Sequence, residues 1–266
     1  MNSNLVLPKS PIAHGRTAEV FEWGDGYVLK LFHSWFPYDD IKFEFKVASA
    51  VYASGVKSPA VRELIQVQGR HGLVYERAQG VSIMTLFQQK PWLVLSYART
   101  FAQAHAQMHE CVMTADVPQQ QRRLQRKLQE TTLPVLVKAS LLRSLTELPE
   151  GNRVCHGDFH PGNILLTQND ATIIDWIDAS CGNPNADVAR TSIILLGVAA
   201  SKQTRNPFVK LMVKAFHATY LCEYFRLRPE GRSEYQRWLP VVAGARLSEN
   251  IPELETWLTQ LARKNQ

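Results

Sequence analysis

The chain has 266 residues, 45% hydrophobic and 20% charged, the balance of an ordinary soluble globular protein with room for one or two domains. Its net charge is +6, and its four cysteines, Cys111, Cys155, Cys181 and Cys222, form no CxxC pair, which argues against a zinc ribbon or a disulfide framework and fits a reducing cytoplasm. The longest apolar run, residues 193–200, is far below the roughly 20 residues that span a bilayer, and MNSNLVLPKS lacks the pattern of a secretory leader.

Residues 16–33 read as two strands, 20–23 and 27–32, around a turn at Gly24-Asp25-Gly26. Residues 40–54 read as a helix capped by Asp39 or Asp40 and ended by Gly55. Ile41, Phe45, Ala48 and Tyr52 share one face of it. Two more strands follow at 61–67 and 73–76. The composition then shifts. Residues 1–76 read as a small β-rich lobe with one helix, 77–81 as a hinge, and 82–266 as a larger, mainly helical lobe. Val94, Tyr97, Phe101, Ala104 and Met108 repeat at helical spacing. A loop at 113–118 leads into two helices within 118–148, interrupted near Pro134. Short strands at 153–156, 164–166 and 172–175 break the helical pattern, which resumes at 187–200, 207–227, 232–245 and 252–263. Pro240 should kink or split the third of these. A cleft between the lobes is the default ligand site.

The densest basic run is QQQRRLQRK, residues 119–127. Arg122, Arg123, Arg126 and Lys127 read as a solvated helix face, with an anion-attracting surface as the alternative; no nucleic-acid motif accompanies them.

The chemistry concentrates in CHGDFHPGNILLTQNDATIIDWID, residues 155–178. Asp158 stands five residues before Asn163, and Asp175 ends the apolar strand that follows. Phosphoryl transfer needs an acceptor base and metal ligands in this order. Asp158 is placed to accept a hydroxyl proton. Asn163 and Asp175 offer oxygens to magnesium. Asp178 either supports a second metal or holds the loop. Lys30, inside the apolar strand VLKLF, calls for a partner. Glu44 is the only acid between Asp40 and Glu63, so a Lys30–Glu44 pair would aim the ammonium at nucleotide phosphates. Gly15-Arg16-Thr17-Ala18 would form a flap over the phosphates, with Thr17 or backbone N–H groups as donors. Read differently, His156, Asp158 and His160 could ligate the metal of a hydrolase; the glycine and proline beside them favour a turn, with His156 a core residue that holds it.

HGDFHPGN, IIDWIDAS and NPNADVAR together resemble the aminoglycoside phosphotransferase and choline kinase-like family. VLKLF, the helix with Glu44, the hinge LVYERAQG and the helix AQAHAQMHE extend the resemblance over most of the chain. It implies a protein-kinase-like two-lobed α+β fold, Asp158 as base, Asn163 and Asp175 as magnesium ligands, and Lys30 as phosphate ligand. It implies that the backbone around Tyr75, Glu76 and Arg77 receives the adenine, and that Asp187 and Arg190 brace the catalytic loop. Only eleven residues separate Asp175 from Asp187, too few for a peptide-docking segment, which argues against a protein kinase.

The expectation is therefore an ATP- and Mg2+-dependent kinase of a small-molecule hydroxyl, acting by direct in-line transfer. A nucleotide-binding pseudokinase is the alternative. The acceptor would be a sugar, an amino alcohol or an aminoglycoside-like molecule. Residues 187–266 carry twelve basic and seven acidic side chains, which favours a neutral or anionic acceptor over a polycation. No nucleic acid or membrane partner is expected. ATP against GTP and the oligomeric state are not legible.

Overall fold

The computed structural model describes residues 7–264 apart from Lys9 and Asn169, so most of the segment read for a leader lies outside the described residues. No described helix is long and apolar enough to cross a membrane.

Strands β1 (Ala13–His14), β2 (Ala18–Glu22), β3 (Tyr27–Phe32), β4 (Val61–Val67) and β5 (Arg70–Glu76) form one antiparallel sheet in the order β1-β2-β3-β5-β4. The β4–β5 hairpin turns through Gln68 and Gly69, both at positive φ (50° and 78°), the twist that suits a two-residue loop. Side chains alternate across β3. Leu29 and Leu31 join Phe21, Val67 and Val74 in a small apolar cluster on one side. Lys30 therefore points to the other side, with Leu73 and Tyr75 of the neighbouring strand.

Helix α1 (Tyr38–Ala53) packs against β4 and β5. It starts two residues before the expected boundary. Neither Asp39 nor Asp40 caps it; Pro37 precedes it, and both acids sit in the first turn, where the helix dipole favours them. Gly55, at φ +86°, ends it as expected. The buried stripe is Ile41, Glu44, Val47, Ala48 and Val51, whereas Tyr52 is exposed. The helix is rolled relative to the apolar pattern, and the roll brings Glu44 under the sheet.

The chain leaves this sheet at Glu76 and enters a second one at β6 (Val81–Ser82), which pairs with β8 (Ile164–Leu166) and then β9 (Ala171–Ile173). Gly80 makes the crossing at φ +117°; a Cβ there would lie 2.5 Å from the Leu166 carbonyl oxygen. A two-stranded ribbon joins β7 (Arg153–Cys155) to β10 (Ser180–Gly182). The very short β1, β6 and β10 carry too few residues for a periodic signal. The two lobes also meet directly: Ile173 N–H donates to the Lys57 carbonyl at 2.9 Å.

The helical lobe contains α2 (Ile83–Gln89), α3 (Val94–Met108), α4 (Gln120–Glu130), α5 (Val135–Glu147), α6 (Pro184–Ala200), α7 (Pro207–Leu227), α8 (Arg232–Arg246) and α9 (Glu255–Ala262). Asn183 and Asn206 cap α6 and α7, each followed by proline in the first turn. All five residues of the expected α3 stripe are buried. Phe101 packs on Phe159, Phe216 and Tyr220, so the core joins the turn that carries Asp158 to α7. Helix α8 runs through Pro240 without splitting. The basic run forms α4, but its charges part company. Arg122 and Arg126 are exposed, while Arg123 and Lys127, one turn apart, face inward to carboxylates.

Candidate active site

Strand β7 delivers the chain to His156 and Gly157. Gly157 has φ +78°, and a Cβ there would lie 2.4 Å from the Asp178 carbonyl oxygen, so the turn needs glycine. Asp158 N–H donates to His156 Nδ1 at 3.2 Å. That leaves the ring proton on Nε2, which donates to the Ile174 carbonyl at 3.1 Å. His156 thus ties the turn to the strand before Asp175. Both its nitrogens are committed, so the hydrolase-type metal set is not formed. His160 Nδ1 accepts from Gly162 N–H at 3.0 Å, and its Nε2 faces Asp158 at 3.6 Å. The Asp158 carboxylate is partly exposed towards the cleft.

Asn163 is buried, and its amide N–H donates to the Asp158 carbonyl at 3.0 Å. The amide oxygen is left for a hard cation. Its carbonyl also accepts from Ile174 N–H at 3.0 Å, which holds the segment next to Asp175. Asp175 sits at φ +67°, an uncommon conformation for a residue with a Cβ and one that concentrates at functional sites. Trp176 anchors the turn from below, fully buried, with its indole N–H on the Ile173 carbonyl at 3.2 Å.

Lys30 joins the lobes. Its Nζ lies 2.7 Å from Glu44 Oε1 and 2.9 Å from Asp175 Oδ1. The Tyr75 hydroxyl donates to the same Glu44 oxygen at 2.9 Å. Burial acts to discharge Lys30, but the two carboxylates outweigh it and hold the ammonium above its ordinary value. Burial pushes Glu44 up, with Lys30 opposing. Asp175 is also penalised by burial, yet Lys30 draws it below the usual carboxylate range. Glu44 Oε2 is sealed from solvent and has no hydrogen-bond partner among the described residues.

The other expected residues fall as follows. Thr17 lies in the β1–β2 turn, and its carbonyl accepts from His33 N–H at 2.9 Å. The N–H groups of Glu76 and Arg77 are already taken by the Ala60 and Gly26 carbonyls, at 2.9 and 2.8 Å. The Glu76 and Arg77 side chains pair with Arg62 and Glu22. Asp178 is held by Arg123, which donates to both its carboxylate and its carbonyl.

Beneath the catalytic turn lies a network that sequence reasoning reached only in part. Asp187 Oδ2 accepts from His156 N–H at 2.7 Å, and Oδ1 from Gly157 N–H at 2.8 Å. Arg190 Nε donates to the Gly157 carbonyl at 2.9 Å. His105 and His109 then approach Asp187 Oδ2 through Nε2 at 3.2 and 3.3 Å. An ionised carboxylate only accepts, so each Nε2 carries its proton, and each Nδ1 accepts from a tyrosine. Tyr220 serves His105 at 2.8 Å, and Tyr224 serves His109 at 2.7 Å. Burial, then His109, pushes His105 down to about 3, and burial also lowers His109. Both rings are neutral, and hydrogen bonds to them hold Asp187 well below the usual range despite burial. His105, His109 and Asp187 are close enough to cage a metal. Their hydrogen bonds are instead satisfied internally. The signal for this network was the pair of histidines one turn apart in AHAQMH.

Comparison with known proteins agrees with this architecture. No curated protein matches the chain in sequence. Solved structures of similar fold include amicoumacin kinase hAmiN in complex with AMP-PNP, Ca2+ and Ami, with TM-score 0.61 and 16% identity over 95% of this chain and 86% of that one. An aminoglycoside-3'-phosphotransferase of type VIII gives TM-score 0.58 and 18% identity over 91% and 92%. A putative fructosamine-3-kinase from Haemophilus somnus 129PT gives TM-score 0.56 and 12% identity over 95% and 90%. The family model described as "Phosphotransferase enzyme family" matches residues 10–229. With its two-lobed, protein-kinase-like fold, the chain belongs to this family of phosphotransferases.

Proposed function

We propose that the chain transfers the γ-phosphoryl group of ATP directly to a hydroxyl of a small molecule. The observation that carries this reading is Lys30, held between Glu44 of the small lobe and Asp175 of the large one. That geometry presents one ammonium to phosphates entering the cleft.

Asp158 takes the acceptor's proton as its oxygen attacks the γ-phosphorus. One O–P bond forms, the bond to the ADP oxygen breaks opposite it, and ADP leaves. His160 Nε2–H faces the Asp158 carboxylate at 3.6 Å, just beyond a hydrogen bond. The Asn163 amide oxygen and the Asp175 carboxylate form an all-oxygen donor pair of the kind magnesium prefers. Magnesium bound there would neutralise phosphate charge. Asp178, already engaged by Arg123, holds the loop in this reading. With the Glu76 and Arg77 N–H groups occupied, adenine would use the hinge carbonyls and the next N–H, that of Ala78.

The span between Asp175 and Asp187 supports a small acceptor. It is consumed by the Trp176 anchor, β10 and the Asn183 cap, so no segment is left to dock a peptide.

The test is ADP release from Mg-ATP across pooled aminoglycosides, amino alcohols, sugars and nucleosides, with Asp158→Asn as the blank. Release that needs both one pool and Asp158 is expected. The variant should lose about 10²–10⁴-fold in kcat while keeping its nucleotide affinity. Turnover that survives the substitution would remove Asp158 as the base, and nucleotide binding without any Asp158-dependent release would favour the pseudokinase.

A further inference from the structure

Next to Gly157, one residue before Asp158, the chain builds a cationic pocket that the transfer chemistry does not use. The cavity is small, about 50 Å³, and is bounded by Gly157 and Asp178 of the catalytic region. Arg123 and Lys127 of α4, Arg190 of α6 and Arg246 at the end of α8 also line it, with Asp187 as a second acid beside Asp178. Four cations on three separate helices thus converge on one space.

Three of the four form close ion pairs, at 2.9 Å or less, and Arg246 a longer one with Glu249. Arg123 is bound to Asp178. Lys127 and Arg190 share Glu249 Oε1, at 2.9 and 2.8 Å. Arg246 differs. Its Nε and Nη1 are sealed from solvent and have no acceptor among the described residues. The nearest carboxylate oxygen, Glu249 Oε2, is 3.7 Å from Nε, outside hydrogen-bonding reach. The side chain is only 11% exposed. Burial, with Arg190 nearby, lowers its pKa to about 10, while Glu249 first, then Asp158 and Asp178, act in the opposite direction. A buried guanidinium with unmet donors is costly, and an oxyanion in the cavity towards which the side chain turns would relieve that cost. The pocket is lined by Gly157, next to Asp158, where the acceptor hydroxyl must arrive.

We propose that this pocket binds an oxyanion of the acceptor, a carboxylate or phosphate group, through Arg246, with Arg123, Lys127 and Arg190 around it. The substrate is then an anionic small molecule that bears a hydroxyl. The proposal rests on the phosphoryl-transfer reading. The planar guanidinium fork matches carboxylate and phosphate oxygens. A polycationic acceptor would bring ammonium groups against four cations. Glu249 is already shared by two of them, and Asp178 is bound to a third.

Two measurements decide it. The first is calorimetric titration of inorganic sulfate into protein saturated with Mg-ADP, so that the phosphate-binding cleft is filled. One saturable site is expected. Arg246→Gln should weaken it about tenfold or more, with Mg-ADP affinity unchanged. Lys127→Gln, at a more exposed position, should weaken it less and keeps the test open if Arg246→Gln folds poorly. Absence of saturable sulfate binding, or equal binding in both variants, would overturn the pocket. The second measurement is ADP release with matched acceptors: a hydroxy acid, the corresponding neutral alcohol, the amino alcohol, and a phosphorylated alcohol that retains a free hydroxyl. Preference for a charged-oxyanion member is expected, and the better of the two identifies carboxylate or phosphate. Preference for the neutral or cationic member would overturn the assignment. Loss of Asp158-dependent release with every acceptor would instead defeat the kinase reading, and the sulfate titration would still judge the pocket.

Discussion

Asp175 and Asp187 are both carboxylates held below their ordinary range, yet their surroundings are opposite in kind. Asp187 is 1% exposed and receives two backbone N–H groups and two neutral imidazoles, each backed by a tyrosine. Asp175 is 43% exposed, sits at positive φ, and shares one lysine with a glutamate whose second oxygen has no partner. The closed network is complete without a ligand. The open one is left with capacity to exchange partners, as the proposed phosphate binding would require. In this fold, a site that must react keeps unmet valence and backbone strain, while the network that positions it is satisfied.

The largest expected effect tests the closed side. Asp187→Asn leaves two backbone donors and two imidazoles facing a group that accepts at only one atom and adds its own donor. It should cost about 3–5 kcal/mol of stability. Asp175→Asn should change stability by no more than about 1 kcal/mol, because asparagine tolerates the same backbone region, while abolishing magnesium-dependent ATP binding. Urea denaturation and nucleotide titration of both variants check this. Equal destabilisation would erase the distinction between the two networks.

Lys30→Met sharpens it next. The substitution strands Glu44, which is fully buried, and should cost about 3 kcal/mol. Adding Glu44→Gln removes the stranded charge while preserving an oxygen for the Tyr75 hydroxyl. The double variant should recover most of that stability and none of the activity. Recovered turnover would show that the ammonium is dispensable for transfer.

Much of the open network was legible in the sequence, because its members are conspicuous. A lysine inside an apolar strand and a lone acid on the next helix suggested a pair, and Asp158, Asn163 and Asp175 have a spacing tied to chemistry. The closed network was harder to read. His105, on the helix of Tyr97 and Phe101, and His109, which ends that helix, look like ordinary core positions. Their tyrosine partners, Tyr220 and Tyr224, lie more than a hundred residues away. Periodicity reports which face is buried, not which buried hydroxyl meets which imidazole. The same limit applied to α4. Its run of charges looked uniform, although Arg123 and Lys127 point into the molecule and Arg122 and Arg126 point out. Only the fold, by setting α4 against Asp178 and Glu249, separates them.

Acid should lower stability through the histidines of the closed network. His105 titrates at about 3 in the folded protein, against an ordinary value of 6.5. Below pH 6.5 the unfolded chain therefore binds a proton that the folded chain refuses, so stability falls as pH drops towards 3. The slope is about 1.4 kcal/mol per pH unit for each such histidine, or about 2 kcal/mol between pH 6.5 and 5. His109 acts in the same direction. Denaturation at pH 7 and pH 5 should show the loss, and His105→Gln should flatten it. An unchanged slope in that variant would place the acid sensitivity elsewhere.

The smallest effect probes the outermost layer. Tyr224 is buried, and its hydroxyl donates to His109 Nδ1. Tyr224→Phe keeps the ring that packs against His109 and Phe225 but leaves that nitrogen without a donor. The expected cost is about 1 kcal/mol. Asp187 still requires a proton on Nε2, so the tautomer is expected to hold while Nδ1 loses its hydrogen bond. A 15N spectrum of the histidines reads this directly: Nε2 stays protonated and the Nδ1 resonance moves. A His109 ring protonated at Nδ1 in the variant would show that the tyrosine, and not Asp187, selects the tautomer.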